Sequence, residues 1–322
     1  VTKMHLTYDK KRHSHRPALS LFKVCFTALM AAILTSGCAW LTYHEIPGDL
    51  SDHTDLALSP NGKRLLLSWR EYSGKLHTRL LELDGAQIKS VSFPALPDDT
   101  ITIAFGKNNE HLLVTTWDQK TSHLLKINVD NNDIETLYQS PKIIRLPLEV
   151  KEQNYVFLET YDDNNRYSRW QRLDHGQKSL LNPLGYNMIA PINVLGEALY
   201  LIEPTNTFRA IHGTLPAGLN EQIEKDTFYV VCADKYPLSC LQSKLYFGRD
   251  GSYSKLEINN AGQRCQIAGN WIDVRHDQIS RDGSTVVFHA AISKHFGARS
   301  LYVVQNTNSQ CEAQALDIKG MR

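Results

Sequence analysis

Short apolar segments alternate with tight polar turns along most of this chain. Residues 80–83 (LLEL) run into Asp84-Gly85, residues 124–129 (LLKINV) into the turn 130–133 (DNND), and residues 256–258 (LEI) into the turn 259–262 (NNAG). Asn, Asp and Gly tolerate the positive φ that tight hairpin turns require, and alternating residues flank them here. The pattern predicts a series of β-hairpins and an all-β fold.

The hairpins repeat with a nearly constant period. Turns centred on positions 85, 132, 176, 262 and 308 are separated by 47, 44, 86 and 46 residues, and the turn at His212-Gly213 divides the double interval. About 40 to 45 residues is the length of one four-stranded propeller blade. Six units of this length predict a six-bladed β-propeller of four-stranded blades.

A second marker recurs elsewhere in the unit. Residues 59–64 (SPNGKR) precede the apolar run 65–68, and residues 280–284 (SRDGS) precede the run 285–288, 221 residues further on. That distance equals five steps of about 44 residues. We place the irregular fifth step at Asp226, before the run 228–231.

These residues resemble the SPDGKxIxF-like repeats of TolB-type, WD40-like propellers. The resemblance spans roughly residues 50–318 and is sharpest at 59–68 and 280–289. In that family the Asp/Asn-Gly pair turns the chain into an inner strand. The resemblance therefore implies a structural role for the motif and not a binding site.

The N-terminal segment predicts export. Eleven residues, 24–34 (VCFTALMAAIL), form an apolar run that is shorter than the ~20 residues a membrane-spanning helix needs. Thr35, Ser36, Gly37 and Cys38 follow. The positively charged flank before this run contains Lys3, Lys10, Lys11, Arg12, Arg16 and Lys23, opposed by Asp9.

This combination resembles the lipobox of bacterial lipoproteins, although Thr35 stands where that motif usually has Leu. The resemblance implies that residues 1–37 are a lipoprotein signal peptide and that Cys38 receives a diacylglycerol. An uncleaved anchor and an ordinary signal peptide cut at the same place are the alternatives. Ala39, where Asp would retain a lipoprotein in the inner membrane, implies a lipid anchor in the outer membrane with the domain facing the periplasm.

We divide the remaining chain into two parts. Residues 38–50 form a lipidated tether, or supply through residues 40–46 a closing strand for the blade that ends near residue 318, and residues 51–322 form the propeller. Without residues 1–37 the chain carries 29 basic and 33 acidic side chains. A mildly acidic domain without basic clusters is a poor candidate for binding nucleic acid.

Four cysteines remain after Cys25 leaves with the signal peptide and Cys38 is lipidated. An even number in an oxidising compartment predicts disulfides among Cys232, Cys240, Cys265 and Cys311, with three possible connectivities. In the repeat alignment Cys232 and Cys240 flank a strand connection through Pro237, where a clasp forms easily. Cys265 and Cys311 begin outer strands of neighbouring blades, which splay apart at the rim, so their pairing is the weaker expectation.

Motifs with recognisable chemistry are missing from the sequence. It has no GxSxG, HExxH, GxGxxG or GxxxxGK segment, so we predict no catalytic, cofactor or metal site. His276, His289 and His295 would hold a metal only by converging in the central channel, and we expect them on the surface or between blades.

Three functions fit these observations. The favoured one is a non-enzymatic scaffold that binds another envelope protein or peptide. A propeller enzyme or small-ligand-binding protein with a site in the central channel is the alternative, since such sites are assembled from scattered loop residues. A structural envelope component without a discrete ligand is the third.

Overall fold

The computed structural model describes most of the chain after residue 54. The described residues are 55–71, 73–84, 87–93, 95–160, 168–181, 192–203, 207–219, 227, 229–233, 239–248, 251–260, 263–292, 300–305 and 311–315. Cys38 and the possible closing strand 40–46 lie outside them. Within the described part, no helix is long and apolar enough to cross a membrane.

Six antiparallel blades confirm the predicted six-bladed propeller of four-stranded blades. The first two blades consist of β1 Asp55–Leu58, β2 Arg64–Arg70, β3 Leu76–Asp84 and β4 Gln87–Val91, then β5 Thr100–Phe105, β6 His111–Trp117, β7 Ser122–Asn128 and β8 Ile134–Ser140. The third consists of β9 Ile143–Lys151, β10 Asn154–Thr160, β11 Ser168–Asp174 and β12 Gln177–Leu180. Of the fourth, the described residues supply β13 Asn193–Leu195, β14 Ala198–Ile202 and β15 Phe208–His212.

The fifth and sixth blades share one long strand. Their strands are β16 Tyr229–Cys232, β17 Ser239–Gly248, β18 Gly251–Asn260, β19 Gln263–Ile279, β20 Thr285–Ile292, β21 Ser300–Gln305 and β22 Gln314–Ala315. The first part of β19 pairs with β18 and the part from Trp271 onward pairs with β20. A single strand therefore leads from the outside of the fifth blade into the sixth.

Neighbouring blades cover both faces of the second strand of a blade. In β2, Leu65 and Leu67 pack with residues of the last blade, whereas Leu66, which points the other way, packs with the second blade. All three leucines are at most 1% exposed. Because both faces of the strand are covered by neighbouring blades, its sequence is a continuous apolar run and does not alternate between apolar and polar residues.

A glutamine side chain joins the first blade to the last. The Gln278 side-chain amide donates to the Leu56 carbonyl (2.6 Å), and its oxygen accepts from the Leu58 amide (2.7 Å). The Gln278 side chain thus bonds to the backbone of β1 as a neighbouring strand would. Gly62, in the SPNG turn, approaches the same joint so closely that a Cβ there would collide with the Thr285 side chain.

The prediction for the fifth repeat marker is wrong. Residues 229–232 form β16, the first strand of the fifth blade, and the strand that corresponds to β2 is β17. The connection between β16 and β17 contains no glycine. In blades one and six the corresponding connection has a Gly-containing turn, and the prediction relied on that turn.

Two disulfides join the four predicted cysteines. Cys232 and Cys240 face each other across β16 and β17 and form a disulfide, as predicted. Cys265 pairs with Cys311, which was the weaker of the two expected pairings. Their Cα atoms are 5.8 Å apart, within disulfide range, because the continuous β19 keeps the two blades adjacent.

Candidate functional site

The predicted histidine group does not form a site in the described structure. His289 lies on β20 and is buried, with 3% of its surface exposed. The side chain of His276 and the whole of His295 lie outside the described residues. Among the residues that are described, no group of three or more His, Cys, Asp or Glu is placed to hold a metal ion.

Lys107, in the turn between β5 and β6, contacts two other blades. The Lys107 ammonium donates to the carbonyls of Val150 (2.5 Å) and Gly196 (3.1 Å), which belong to the third and fourth blades. Arg281 of the sixth blade donates to the Lys107 carbonyl at 3.4 Å. These cations are engaged by backbone oxygens, so they join blades together instead of presenting charge to a ligand.

A buried carboxylate between the second and third blades is also satisfied within the protein. Glu159 is fully buried and accepts from the Ser140 hydroxyl (2.5 Å) and the Lys178 ammonium (3.3 Å). Burial alone would lower the pKa of Lys178, but its contacts with Tyr138 and Glu159 outweigh burial and raise that pKa. We interpret this cluster as structural.

A cavity between the third and fourth blades combines polar and apolar walls. Its volume is about 300 Å³. The lining includes Asn154, Arg172, Leu195, Ala198, His212 and Thr214. A few fixed polar groups against apolar walls are typical of small-ligand sites, and the volume lies at the lower end of their range.

Strand pairing brings Asn154 and Arg172 together in this cavity. Asn154 begins β10 and lies opposite Asp174 on β11. Arg172 precedes Asp174 by two residues, so it projects from the same face and is the diagonal neighbour of Asn154. The Arg172 Nε donates to Asn154 Oδ1 at 3.1 Å.

The end of Arg172 reaches toward the fourth blade. Its Nη1 lies 3.2 Å from His212 Nε2, so the imidazole nitrogen accepts if the arginine donates. Its Nη2 lies 3.5 Å from Asp174 Oδ2, at the outer limit of a hydrogen bond. The Arg172 side chain is 22% exposed, which leaves its charge partly shielded from water.

Asn154 has a buried donor group without a partner. The residue is fully buried, and no described atom accepts a hydrogen bond from Nδ2. Leaving a buried polar group unpaired costs roughly 1–3 kcal/mol, so such groups are uncommon in folded proteins. Other buried side-chain atoms of the described residues, such as Arg145 Nε and Trp170 Nε1, are unpaired as well, but Asn154 also lines the cavity, where a ligand oxygen would supply the acceptor.

The facing wall depends on a close backbone approach. Gly213 follows β15 with a φ of +76°, and a Cβ there would lie 3.1 Å from the Ala198 Cα. A larger residue would push the end of β15, and His212 with it, away from β14. At the rim, Glu197 is paired with Lys151 at 3.6 Å and is largely exposed.

A second cavity of about 270 Å³ lies between the first and second blades, at the opposite end of the strands. Arg70, at the end of β2, forms part of its wall. Nη1 of Arg70 donates to the carbonyls of Gly74 (2.8 Å) and Asp98 (2.7 Å), and Nη2 donates to the carbonyl of Thr100. This arginine ties β2 to the start of the second blade.

The sequence analysis did not single out Arg172, Asn154 or His212. A signal did exist, because Arg172 lies four residues before the predicted turn centre at 176 and His212 lies in the predicted turn of the next repeat, at 212–213. Residues at corresponding ends of neighbouring blades approach each other in a propeller. Charge in such pairs was the pattern to search for.

No family model and no curated protein matches the chain. Solved structures do match, as three examples show. The apo AtxE2 isopeptidase has a TM-score of 0.44 at 12% identity, covering 83% of this chain and 51% of that one. An oligogalacturonate lyase in complex with manganese has a TM-score of 0.43 at 12% identity, covering 81% and 78%. TolB from Acinetobacter baumannii has a TM-score of 0.35 at 12% identity, covering 81% and 55%.

These comparisons correct the favoured functional prediction. The isopeptidase and the lyase are propeller-containing enzymes, which contradicts the expectation of a non-enzymatic interaction scaffold and favours its alternative. The scaffold prediction is therefore wrong. The chain spans about half the length of the isopeptidase, and at 12% identity the likeness concerns the fold and assigns no activity. What the chain shares with these proteins is the β-propeller fold.

Proposed function

We propose that this propeller binds a small ligand in the cavity between its third and fourth blades. The observation that carries the proposal is the fully buried Asn154 amide, whose Nδ2 has no acceptor in the described structure and lies beside the Arg172 guanidinium. A ligand oxygen would supply the missing acceptor. The site lies between two blades, whereas the sequence analysis placed its alternative in the central channel.

A screen of small polar fragments tests this proposal. We expect ligand-observed NMR with the full chain in detergent micelles to find fragments whose signals broaden. Thr214→Trp should abolish these hits, because Thr214 is exposed on the cavity wall and the indole would cover the opening. Lys120→Trp, in an exposed turn of the second blade, is the matched control. Hits that survive Thr214→Trp, or a screen without hits, would contradict the proposal.

We further propose that the domain acts in the cell envelope, tethered through Cys38. The short apolar run, its basic flank and the small residues before Cys38 support this localisation. A single acyl chain binds membranes only marginally, whereas several chains hold firmly. Cells grown with an alkyne-tagged palmitate should label the wild-type protein and not Cys38→Ala, and equal labelling of both would reject the tether.

A further inference from the structure

We infer that the ligand of the cavity between the third and fourth blades carries a carboxylate, which Arg172 and Asn154 bind together. This inference rests on the proposed function and specifies its ligand class. It follows from the hydrogen-bond donors of the cavity, from their arrangement and from the charge around them.

The two residues offer more donors than the protein uses. A guanidinium has five N–H groups, and the contacts of Arg172 with Asn154, His212 and Asp174 engage three of them. The Asn154 amide adds two N–H groups on Nδ2, neither of which reaches an acceptor among the described residues. The cavity therefore favours a ligand group that accepts several hydrogen bonds and donates none.

The arrangement of the donors suits a planar group. Because Nε of Arg172 bonds to Oδ1 of Asn154, the guanidinium and the amide are held side by side. Arginine presents its donors as a rigid fork that matches the two oxygens of a carboxylate, and charged hydrogen bonds of this kind are about twice as strong as neutral ones. A hydroxyl would bring a donor of its own, and a carbonyl would bring one oxygen.

The charges around the cavity leave Arg172 available for an anion. Asp174 is its one carboxylate contact in the described structure, at 3.5 Å and with 42% of its side chain exposed, so it neutralises the guanidinium poorly. Glu197 at the rim is paired with Lys151. The apolar wall formed by Val150 and Leu195 lowers the local dielectric and strengthens attraction to an anion.

A matched pair of probes tests this inference. 4-Fluorobenzoate and 4-fluorobenzamide have nearly the same shape, and ¹⁹F NMR detects even weak binding of either one to the full chain. We expect the benzoate to bind at least ~10-fold more tightly than the benzamide, because only the benzoate pairs with the guanidinium charge. Inorganic phosphate should compete weakly, because it has no ring to pack against the apolar wall of Val150 and Leu195, although a guanidinium binds its oxygens as well.

Three variants assign the binding to the two residues. Asn154→Asp keeps an acceptor for the Arg172 Nε but replaces the amide donors with a negative oxygen, so benzoate binding should be lost. Arg172→Lys keeps the charge but removes the fork, and should weaken benzoate binding ~10-fold. Arg70→Lys, in the other cavity, is the control and should bind benzoate as the wild type does. Circular dichroism verifies that each variant is folded.

The outcomes separate this inference from the proposed function. If benzamide binds as tightly as benzoate and Asn154→Asp removes both, the cavity is a ligand site but the carboxylate assignment is overturned. The assignment is likewise overturned if phosphate displaces benzoate and binds more tightly, or if neither benzoate nor benzamide binds while the fragment screen yields other ligands lost in Thr214→Trp. If that screen also yields none, the proposed function fails with it.

Discussion

Two arginines line two cavities of this propeller, and their hydrogen bonds differ in kind. Arg70 donates to the backbone carbonyls of Gly74, Asp98 and Thr100, which fix it between the first and second blades. Arg172 contacts the side chains of Asn154, His212 and Asp174, the last at 3.5 Å. Backbone carbonyls cannot move away without moving the main chain, whereas exposed side chains such as those of His212 and Asp174 can turn aside for a ligand.

This difference shows why an arginine in a cavity wall does not by itself indicate a binding site. Both cavities are of similar size and both contain a guanidinium. At Arg70 the donors are used by the fold, so the charge stabilises the joint between blades. At Arg172 part of the donor set remains for another molecule. We therefore expect Arg70 substitutions to affect folding and Arg172 substitutions to affect binding.

The largest expected effect is on stability, from Arg70→Gln. The substitution removes three hydrogen bonds from a cation to backbone carbonyls, and we expect the free energy of unfolding to fall by about 2 kcal/mol. Arg172→Gln should lower it by about 1 kcal/mol or less, because the glutamine amide can still donate to the buried Asn154 Oδ1, and the other partners, His212 and Asp174, are exposed enough to bond water. Urea unfolding followed by far-UV circular dichroism measures both. An equal loss of unfolding free energy in the two variants, or a larger loss in Arg172→Gln, would contradict a mainly structural role for Arg70 and a mainly ligand-binding role for Arg172.

A smaller effect concerns the unpaired hydroxyl in the wall of the second cavity. Thr100 is 4% exposed, and no described atom bonds its Oγ1. Thr100→Val keeps the shape and removes that hydroxyl, so stability should be unchanged or rise by up to ~1 kcal/mol. Thr115→Val is the matched control, because the Thr115 hydroxyl is bonded to that of Thr102 at 2.7 Å, and it should lose about 1 kcal/mol.

The Thr100 result also bears on the assignment of the two cavities. If Thr100→Val destabilises the protein as much as Thr115→Val does, the Thr100 hydroxyl has a partner in solution. The second cavity would then hold a bonded group as well, and the contrast between the two arginines would weaken. If Thr100→Val leaves the stability unchanged, the contrast between the two arginines is strengthened.

Repetition made the fold predictable from the sequence. Each blade repeats the same apolar runs and polar turns, so six weak local patterns at a common period reinforce one another. The predicted turns at 132 and 176 lie where the structure has the connections β7–β8 and β11–β12. The prediction was wrong where the local sequence departed from the period. The turn before β17 carries a disulfide clasp in place of the usual Gly-containing turn, and the fifth repeat marker was consequently misplaced.

The candidate site was beyond the sequence because no local motif carries it. Asn154 and Arg172 are 18 residues apart and meet through strand pairing, while His212 arrives from the next blade, 40 residues further on. Each is an ordinary polar residue near a turn. Their meeting depends on register and on the rotation between blades, which the hydrophobic pattern does not specify.

The shared strand β19 makes the last third of the ring one cooperative unit. Because Gln263–Ile279 hydrogen-bonds to β18 on one side and to β20 on the other, neither blade can lose its share of that strand without disturbing the other. The Cys265–Cys311 bridge adds a covalent tie that survives such opening. Local unfolding of the fifth blade is thereby coupled to the sixth, and through Gln278 to the first.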